Sequence, residues 1–534
     1  MHGSRAAYYI LGEGVVREPL LLSGGRACPV GGAAAPPPTP SFRFGRMFPR
    51  PARRMTAGEW FELSEGLVRL GLCMNDPAKY CGREAGARPP DSDIPAGYTY
   101  LGQFIAHEIT FDDARDLPPV EPDPHSLRSP SLDLDSLYGA GPHDEQSRAL
   151  YDETDPALLK LGWTMGTANT GPFPSDLPRD MNAKSEALIG DPRNDQNLAV
   201  AQTHVAFAKF HNAVVRELRG QGHGEADLFD CARMQVVRHF QWLILHDYLP
   251  AVVNKALIEC AVMHGPRWFR AGGPDDLYMP LEFSVAAFRL GHTMVRPAYD
   301  WNWFHERRES GKGEAASLGS LFDQTAASGF IGKAKGIEAL PADWVIDWRR
   351  FFRFPEGSPH RLPDSRINMA RKIDTHFDMR LDEMAGFDHG KLPPEKRSIP
   401  VRNLLRGFAL GLPTGEEVAE CIGERPLRPE EVAAGPHAAV LSAPAFKGKT
   451  PLWYYILKEA ELGGGNKLGP VGGLIVAETL VGLIKNSRHS ILSQPGWYPT
   501  HTRSGVPGMA SATFRMVDLL GYIGKGGINP YGKA

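Results

Sequence analysis

The chain has 534 residues and a formal net charge of −3, with 42% apolar and 23% charged residues. This composition is typical of a folded globular protein, and the nearly balanced charge gives no overall attraction to nucleic acid or to an anionic membrane. The longest apolar stretch, residues 471–484, is too short for a transmembrane helix and contains Glu478, so we expect no transmembrane segment.

The N-terminal sequence and the cysteines favour a cytoplasmic protein. Residues 1–26 lack a basic start followed by a sustained apolar core, so we expect no signal peptide. The six cysteines form no Cys-x-x-Cys pair, and six in so long a chain do not indicate a disulfide framework. Cys73 and Cys81 are close enough in sequence to bridge, but we expect reduced thiols.

The first 55 residues differ from the rest of the chain in composition. Gly24-Gly25, Gly31-Gly32 and Pro36-Pro37-Pro38 disfavour regular structure, which predicts an irregular N-terminal arm over residues 1–55. Helical periodicity dominates after this arm, and no break in composition separates further domains. We therefore expect a mainly α-helical protein with one large helical domain over residues 56–534. A surface arm of this kind leaves a homodimer open.

Apolar residues at helical spacing predict most of the ordered structure, whereas the alternation typical of strands is nearly absent. A turn at residues 92–95 precedes a helix that contains residues 102–108. The other main predicted helices are Glu59–Cys73, Val200–Leu218, Phe229–Leu249, Pro280–Val295, Val401–Leu410, Leu452–Glu461 and Gly472–Leu483.

The segment Gly102-Gln103-Phe104-Ile105-Ala106-His107-Glu108 carries the first chemical signal. Gln103 and His107 are four residues apart, so a helix places them on one face. An uncharged amide beside an imidazole can receive a small polar ligand and move its protons. By itself this pair is weak evidence, because many helices carry a histidine with a polar neighbour.

The segment Gly190-Asp191-Pro192-Arg193 reads as a helix start, with Asp191 as the N-cap and proline at the first helical position. Arg193 is then expected in the first turn of a helix running to about Leu218. Positive charge is mildly unfavourable in that position, so a catalytic task is one reason for an arginine there.

Two later segments add a histidine and an amide. In Phe288-Arg289-Leu290-Gly291-His292-Thr293, the glycine allows backbone or a flat ligand to approach closely beside His292. The other segment is Arg402-Asn403-Leu404-Leu405-Arg406-Gly407. The remaining paired histidines, His204 with His211 and His239 with His246, are seven residues apart, which suits a metal pair poorly and indicates structural roles.

In their order and residue types, these four segments resemble the animal-type haem peroxidase superfamily, particularly its bacterial, cytosolic-looking members. The resemblance runs from roughly Phe42 to Tyr522. It implies a mostly helical fold around haem. It also implies a peroxidase that uses hydrogen peroxide to oxidise an organic donor or a halide through a ferryl intermediate, with the reducing substrate unknown.

The resemblance assigns a role to each residue. It makes His107 the distal histidine above the haem iron, Gln103 the distal glutamine and Arg193 the distal arginine. His292 would be the proximal iron ligand, and Asn403 would hydrogen-bond its other ring nitrogen. Neutral His107 would move a proton between the oxygens of peroxide, and Arg193 would stabilise the charge that develops as the O–O bond breaks.

Further residues match the haem surroundings and a calcium site. Arg289 matches an arginine close to a haem propionate. Asp133, in a loop that also contains Asp135, resembles part of a calcium loop, although the two aspartates alone are equally consistent with a turn or a cap. Glu108 stands where relatives usually have an aspartate calcium ligand and would still offer oxygen ligands.

The sequence departs from the superfamily where many relatives form ester bonds to the haem. Those positions hold Ala106 and Gln196 here, and neither residue can form such an ester. We therefore expect haem b bound without covalent links, held through His292, propionate contacts and apolar packing.

These departures leave two alternatives to a peroxidase. The first is a haem-binding sensor or scaffold without efficient turnover. The second is an oxygenase-type biosynthetic oxidase on the same fold. Arg289 occupies the position where the fatty-acid dioxygenase branch has a radical-carrying tyrosine, which argues against cyclooxygenase-type chemistry.

Overall fold

The structure is a computed structural model that describes residues 7–10, 14–17, 42–49, 56–82, 90–111, 125–126, 128–307, 313–377, 394–494, 497–499 and 514–532. The glycine and proline clusters of the predicted arm and Cys28 lie outside the described residues. The division into an arm over residues 1–55 and a domain over 56–534 stays a prediction. Residues 42–49 are described, and Phe44, Met47 and Phe48 are buried in the hydrophobic core.

Helices form most of the regular structure, which confirms the expected fold class. Among the described residues, none of the helices combines the length and apolarity that a membrane crossing needs. The helices are α1 (Ala57–Asn75), α2 (Pro77–Cys81), α3 (Gly97–Ile109), α4 (Asp135–Tyr138), α5 (Leu198–Gly220), α6 (Glu225–Leu243), α7 (Leu249–Val252), α8 (Lys255–His264), α9 (Gly291–Met294), α10 (Leu318–Asp323), α11 (Pro394–Arg397), α12 (Ile399–Ala409), α13 (Gly415–Ile422), α14 (Pro429–Val432), α15 (Ala438–Leu441), α16 (Leu452–Leu462), α17 (Pro470–Asn486), α18 (Met516–Tyr522) and α19 (Lys525–Ile528).

The strands are short and pair in small groups. Strand β3 lies between β4, to which it is antiparallel, and β9, to which it is parallel. The other pairs are antiparallel: β1 with β2, β5 with β6, β7 with β8 and β10 with β11. The strands are β1 (Ala7–Ile10), β2 (Gly14–Arg17), β3 (Phe42–Gly45), β4 (His125–Ser126), β5 (Gly162–Trp163), β6 (Pro174–Asp176), β7 (Arg179–Asp180), β8 (Glu186–Ala187), β9 (Met279–Pro280), β10 (Ala298–Tyr299) and β11 (Ala316–Ser317).

Helix α3 lies at the centre of the packing and contacts α5 on one side and α9 on another. Its Phe104 stacks on Phe207 of α5 with ring centroids 4.9 Å apart, and Phe240 of α6 packs edge-on against both rings. All three side chains are fully buried. This aromatic cluster fixes the face of α3 that packs against α5 and α6.

The predicted helices from 59, 200, 401, 452 and 472 are confirmed, with bounds that differ from the predicted ones by up to three residues. The helix predicted over Pro280–Val295 is wrong as a continuous helix. That stretch has a π-helical turn at Glu282–Ala286, a 3-10 turn at Ala287–Leu290 and then α9. Ala286 has φ −126° and ψ −77°, so the backbone leaves helical geometry between the first two turns and re-aims the segment that carries His292.

The segment that carries Arg193 also differs from the prediction. Asp191 does cap Pro192, because its Oδ1 accepts the backbone N–H of Arg193 at 2.9 Å. However, Pro192–Asp195 is a separate 3-10 turn, and α5 begins only at Leu198 with Asn197 as its own N-cap. Asp191 caps the start of the short turn and Asn197 caps the start of α5, so Arg193 is not in the first turn of the long helix.

Cys73 and Cys81 form a disulfide, so the expectation of reduced thiols was wrong for this pair. Helix α1 ends at Asn75 and α2 begins at Pro77, and the turn at Asp76 brings the two cysteine Cα atoms to 5.6 Å. This Cα separation is in the range of disulfide bonds, and the reversal of the chain between α1 and α2 produces it.

The packing of α1 on α12 generates a stability prediction, because α12 carries Asn403. A Cβ on Gly71 of α1 would lie 2.5 Å from the backbone nitrogen of Val401, so Gly71→Ala must push the two helices apart. We expect a loss of about 1–3 kcal/mol in the free energy of unfolding of the haem-free protein, measured by urea denaturation. Gly58→Ala, in the same helix with open space around it, should instead stabilise by about 0.5–1 kcal/mol. Equal stability of the two variants would contradict this helix contact.

Candidate functional site

A crevice lies between α3 and the segment that ends in α9. It encloses about 590 Å³ of space between its atoms, counting the part open to solvent. Its lining comprises Tyr98, Thr99, Gly102, Gln103, Ala106 and Thr110 from α3 and its end, Tyr248 and Ser284, and Phe288, Arg289, Gly291, His292 and Met294 from the opposite wall.

Two glycines allow α3 to fit against its neighbours at this crevice. A Cβ on Gly97 would lie 2.5 Å from ring carbons of Phe352, and a Cβ on Gly102 would lie 2.6 Å from the hydroxyl oxygen of Tyr248. Larger residues at either position would move α3 away from these rings. The small residues therefore place the chemistry-bearing face of α3 at a fixed depth in the crevice.

His107 is fully buried next to this lining rather than part of it. Its Nδ1 lies 2.9 Å from Oδ1 of Asn194, and since an amide oxygen only accepts, Nδ1 carries the ring proton and donates. Nε2 is then the basic nitrogen, and it is buried without a hydrogen-bond partner in the described part of the chain. Burial, and secondly the charge of Arg193, lower the pKa of His107 to about 3, so the ring is neutral at pH 7.

Asn194 holds His107 in this tautomer because its own amide is fixed on both sides. Its Nδ2 donates to Nδ1 of His204 at 3.2 Å, which leaves Oδ1 for His107. Burial lowers the pKa of His204 to about 4, so this ring is also a neutral acceptor at pH 7. The structural role expected for His204 is thus the indirect orientation of His107.

Gln103 is tied to the segment that follows Arg193. Its Nε2 donates to Oε1 of Gln196 at 3.3 Å, and its Oε1 accepts from Nδ2 of Asn197 at 3.0 Å. Gln196 is fully buried, and its own Nε2 has no hydrogen-bond partner. Gln196 therefore contacts the crevice wall through Gln103. Ala106, on the same helix as Gln103, lines the crevice directly.

The guanidinium of Arg193 is buried and makes a two-point contact with Asp191. Nε donates to Oδ1 at 3.0 Å, and Nη2 donates to Oδ2 at 2.7 Å. Nη2 also donates to the backbone carbonyl of His107 at 2.8 Å, and the guanidinium lies 4.4 Å from the ring centroid of Phe111. Arg193 thus clamps the end of α3 beside His107.

Asp191 binds a second cation as well. Its Oδ2 accepts from Nη2 of Arg128 at 2.8 Å, and Arg128 also donates to the carbonyl of Gly190 at 3.1 Å. Burial opposes ionisation of this carboxyl, but the charges of Arg193 and Arg128 lower the pKa of Asp191 well below its usual range. The pair of arginines thereby stays charged in the interior.

On the opposite wall, His292, Asn403 and Arg289 form a chain of contacts. Nδ2 of Asn403 lies 3.0 Å from Nδ1 of His292 and donates to it, and Oδ1 of Asn403 accepts from Nη1 of Arg289. Nε of Arg289 donates to the carbonyl of Ser284 at 3.1 Å. The expected contact between Asn403 and the imidazole is therefore present. With Nδ1 accepting, the neutral ring carries its proton on Nε2, so a metal at Nε2 would require the other neutral tautomer, with the proton on Nδ1.

The three predicted calcium residues come together at the far end of α3. Oxygens of Glu108, Asp133 and Asp135 all lie within 4.8 Å of one another. Both oxygens of Glu108 accept backbone N–H groups at the start of α4, from Asp135 at 3.0 Å and Ser136 at 3.1 Å. Oδ1 of Asp133 is buried without a hydrogen-bond partner.

Cations only partly balance the charge of this carboxylate cluster. Arg128 lies 3.3 Å from Oδ1 of Asp135 and links the cluster to Asp191. Even so, burial first, and then the neighbouring carboxylates, raise the pKa of Glu108 well above its usual value. Burial also raises the pKa of Asp135, which Arg128 opposes. The converging oxygen atoms of the cluster would suit a divalent cation, whose charge would favour the ionised form of these carboxyls.

The structure brings the predicted residues together in two groups. Gln103, Ala106, Arg289 and His292 line the crevice, with Asn403 behind His292. His107, Arg193 and Gln196 form a buried layer behind α3, and the three carboxylates lie at its end. Sequence reasoning missed Asn194, Arg128 and Asn197, which orient this layer. The only available signal was their position next to the Arg193 turn or in the loop before Asp133.

Comparison with known proteins agrees with this architecture. The family model for the animal haem peroxidase matches residues 122–335, a stretch that contains Arg193 and His292. The dual oxidase of Drosophila melanogaster is 31% identical over 114 residues, or 21% of this chain and 7% of that protein. Dog thyroid peroxidase (Canis lupus familiaris) is 28% identical over 188 residues, or 31% of this chain and 19% of that protein. The chain thus spans only a small part of these relatives.

Solved structures share the fold more extensively. Peroxidase A from Dictyostelium discoideum superposes with a TM-score of 0.60 at 15% identity, covering 91% of this chain and 94% of that one. A fatty acid alpha-dioxygenase from Oryza sativa superposes with a TM-score of 0.52 at 12% identity, covering 80% and 74%. Together, the family match and the shared fold support the animal-type haem peroxidase superfamily as the class of this chain.

The buried carboxylate of Asp191 yields a prediction. Asp191→Asn keeps the shape but leaves the guanidiniums of Arg193 and Arg128 buried with less neutralising charge. We expect the free energy of unfolding to fall by about 3–5 kcal/mol, measured by urea denaturation of the haem-free protein. As a control, Asp275→Asn removes one partner of the exposed ion pair with Arg488 and should change stability little. A loss no larger than in the control would show that Asp191 does not hold the two arginines.

Proposed function

We propose that this protein is a haem peroxidase that uses hydrogen peroxide to oxidise an organic donor or a halide. The observation that carries the proposal is His107: a neutral, fully buried imidazole beside the crevice lining, whose basic Nε2 has no hydrogen-bond partner among the described residues. A buried nitrogen without a partner is unfavourable unless a ligand uses it.

The residues of the crevice fit a haem. Its lining is largely apolar, with Phe288, Met294 and Tyr248 as large side chains, and open space surrounds Gly291 beside His292. His292 would hold the iron, and the cation of Arg289 on the same wall would face a propionate. When bound, haem supplies the redox chemistry: it accepts oxidising equivalents from peroxide and passes them to a donor.

His107 would act as the proton carrier. Its Nε2 accepts a proton from hydrogen peroxide and returns it to the oxygen that departs as water. The hydrogen bond from Nδ1 to Asn194 keeps Nε2 as the accepting nitrogen throughout. Since burial makes the imidazolium a strong acid, the return of the proton is favoured.

Arg193 would act through its fixed charge. It lies against the backbone of His107 and contributes to the low pKa of that ring, so it assists the release of the proton. The same charge in a buried site would stabilise negative charge on the departing oxygen. Asp191 holds the guanidinium in place, so little reorganisation is needed during the reaction.

Replacement of His107 tests this assignment. His107→Ala should lower the second-order rate constant of the haem-loaded enzyme with hydrogen peroxide by about 10²–10⁴-fold, because the proton carrier is lost while haem stays bound. Stopped-flow absorption measures the rate, and the haem spectrum shows that the cofactor is retained. His223→Ala, at an exposed position, is the matched control. A variant that reacts as fast as the wild type would remove His107 from the mechanism.

The pH dependence of the same rate provides a second readout. A protonated His107 cannot accept a proton, so the rate falls only as pH approaches the pKa of about 3. We expect the wild-type rate to stay flat from about pH 7 to about pH 4, whereas an unperturbed histidine would produce an inflection near pH 6.5. An inflection there, absent in His107→Ala, would mean that His107 titrates normally.

We also propose that the cofactor is haem b bound without covalent links. Ala106 lines the crevice and Gln196 is held by Gln103, and neither side chain offers a carboxylate for an ester. Acidified butanone should therefore extract all of the haem from the loaded protein, before and after exposure to peroxide. A c-type cytochrome, which retains its haem, controls the extraction. Haem left in the aqueous protein fraction would contradict non-covalent binding.

Calcium is proposed for the cluster of Glu108, Asp133 and Asp135, on the basis of their converging oxygens and the unpartnered Oδ1 of Asp133. After dialysis against calcium, we expect about one bound ion per chain by atomic emission. Asp133→Asn should lose it, whereas Asp144→Asn, at a half-buried turn outside the cluster, should retain it. Equal calcium content in both variants would rule out this cluster as the site.

A further inference from the structure

Tyr98 lies in the first turn of α3 and lines the crevice. Its hydroxyl donates to Oδ1 of Asp247 at 2.6 Å, and Asp247 is buried in the π-helical turn at Ile244–Tyr248. The other carboxylate oxygen of Asp247 accepts the backbone N–H of Met516 at 2.7 Å. The phenol therefore has a fixed proton acceptor at the edge of the proposed haem site.

The surroundings hold this pair in place. Phe352 packs edge-on against the ring of Tyr98 with centroids 5.2 Å apart, and Gly97 leaves the space for Phe352 to approach. Burial and the adjacent Asp247 raise the pKa of Tyr98 well above its usual value. The phenol thus does not ionise at pH 7, and its proton leaves only if an electron leaves as well.

The other tyrosines near α3 lack these features. Tyr248 also lines the crevice, but it is only 3% exposed, and among the described residues no carboxylate hydrogen-bonds its hydroxyl. Tyr100, on the same helix as Tyr98, is buried and donates to the hydroxyl of Tyr299 at 3.0 Å, which is not a base of comparable strength. Tyr98 is half-buried, so part of it stays accessible to a donor.

We propose that Tyr98 and Asp247 form a redox relay that carries single electrons from bulky aromatic donors to the haem site. This inference rests on the proposed peroxidase function, which supplies the oxidant from hydrogen peroxide. Tyr98 gives one electron to that oxidant, its O–H bond breaks, and the proton passes to Oδ1 of Asp247. A phenol or aromatic amine then returns one electron to Tyr98, and the proton moves back from Asp247. Each donor loses one proton together with its electron. Two such cycles therefore supply the two electrons and two protons that reduce one hydrogen peroxide to two waters, and they oxidise two donors by one electron each.

The relay predicts a radical that can be located. We would mix the haem-loaded enzyme with one equivalent of hydrogen peroxide without donor, freeze it within milliseconds, and record the electron paramagnetic resonance spectrum. The expected signal is a tyrosyl radical that narrows in protein grown with ring-deuterated tyrosine. It should be lost in Tyr98→Phe, which keeps the packing against Phe352. Asp247→Asn should form the radical more slowly, because the acceptor of the proton is gone. Tyr100→Phe is the matched control and should retain the signal.

Steady-state oxidation gives the second readout. Tyr98→Phe should reduce turnover of a bulky one-electron dye by a much larger factor than turnover of iodide, which is small enough to enter the crevice. An unaltered radical in Tyr98→Phe, or a signal lost instead in Tyr248→Phe, would overturn the relay while the reaction with peroxide stays intact. Failure of the wild type to bind haem or react with peroxide would contradict the proposed function, and the relay with it.

Discussion

The ionised carboxylate of Asp191 is the constraint on which the site behind α3 depends. It is fully buried and neutralises Arg193 and Arg128, which in turn reach the backbone of His107 and the side chain of Asp135. Two buried guanidiniums without this carboxylate would be strongly destabilising. One charge thus couples the start of the Arg193 turn, the end of α3 and the carboxylate cluster, and it fixes the position of each.

Hydrogen bonds between uncharged groups orient the two histidines of the site. The side-chain amide of Asn194 lies between the imidazoles of His107 and His204. Its orientation therefore determines which ring nitrogen of His107 is basic. On the other wall, Arg289 orients the amide of Asn403 toward His292. In both cases an amide with one side fixed determines which ring nitrogen carries the proton. Replacement of Asn194 or Asn403 would therefore change which nitrogen of the neighbouring histidine carries the proton, although the histidine itself is kept.

The features that depend on local sequence pattern were predicted from the sequence, whereas the features that depend on tertiary contacts were not. Apolar periodicity located α1, α5, α12, α16 and α17, and spacing placed Gln103 and His107 on one helix. Periodicity could not reveal the break at Ala286, because that stretch stays apolar while its backbone changes turn type. It also could not reveal the Cys73–Cys81 bridge, which a chain reversal creates, or the part played by Asn194, since an amide in a polar turn carries no signal of its partner.

The claim that most needs testing is that His292 binds haem iron in this crevice. The most direct measurement is the absorption spectrum of ferric haem titrated into wild-type protein and into His292→Gly, with and without added imidazole. We expect a saturable, histidine-ligated spectrum for the wild type, its loss in the variant, and its recovery with imidazole, which can take the position of the missing ring. The same spectrum in wild type and variant without imidazole would contradict the account, because the iron would then be held elsewhere.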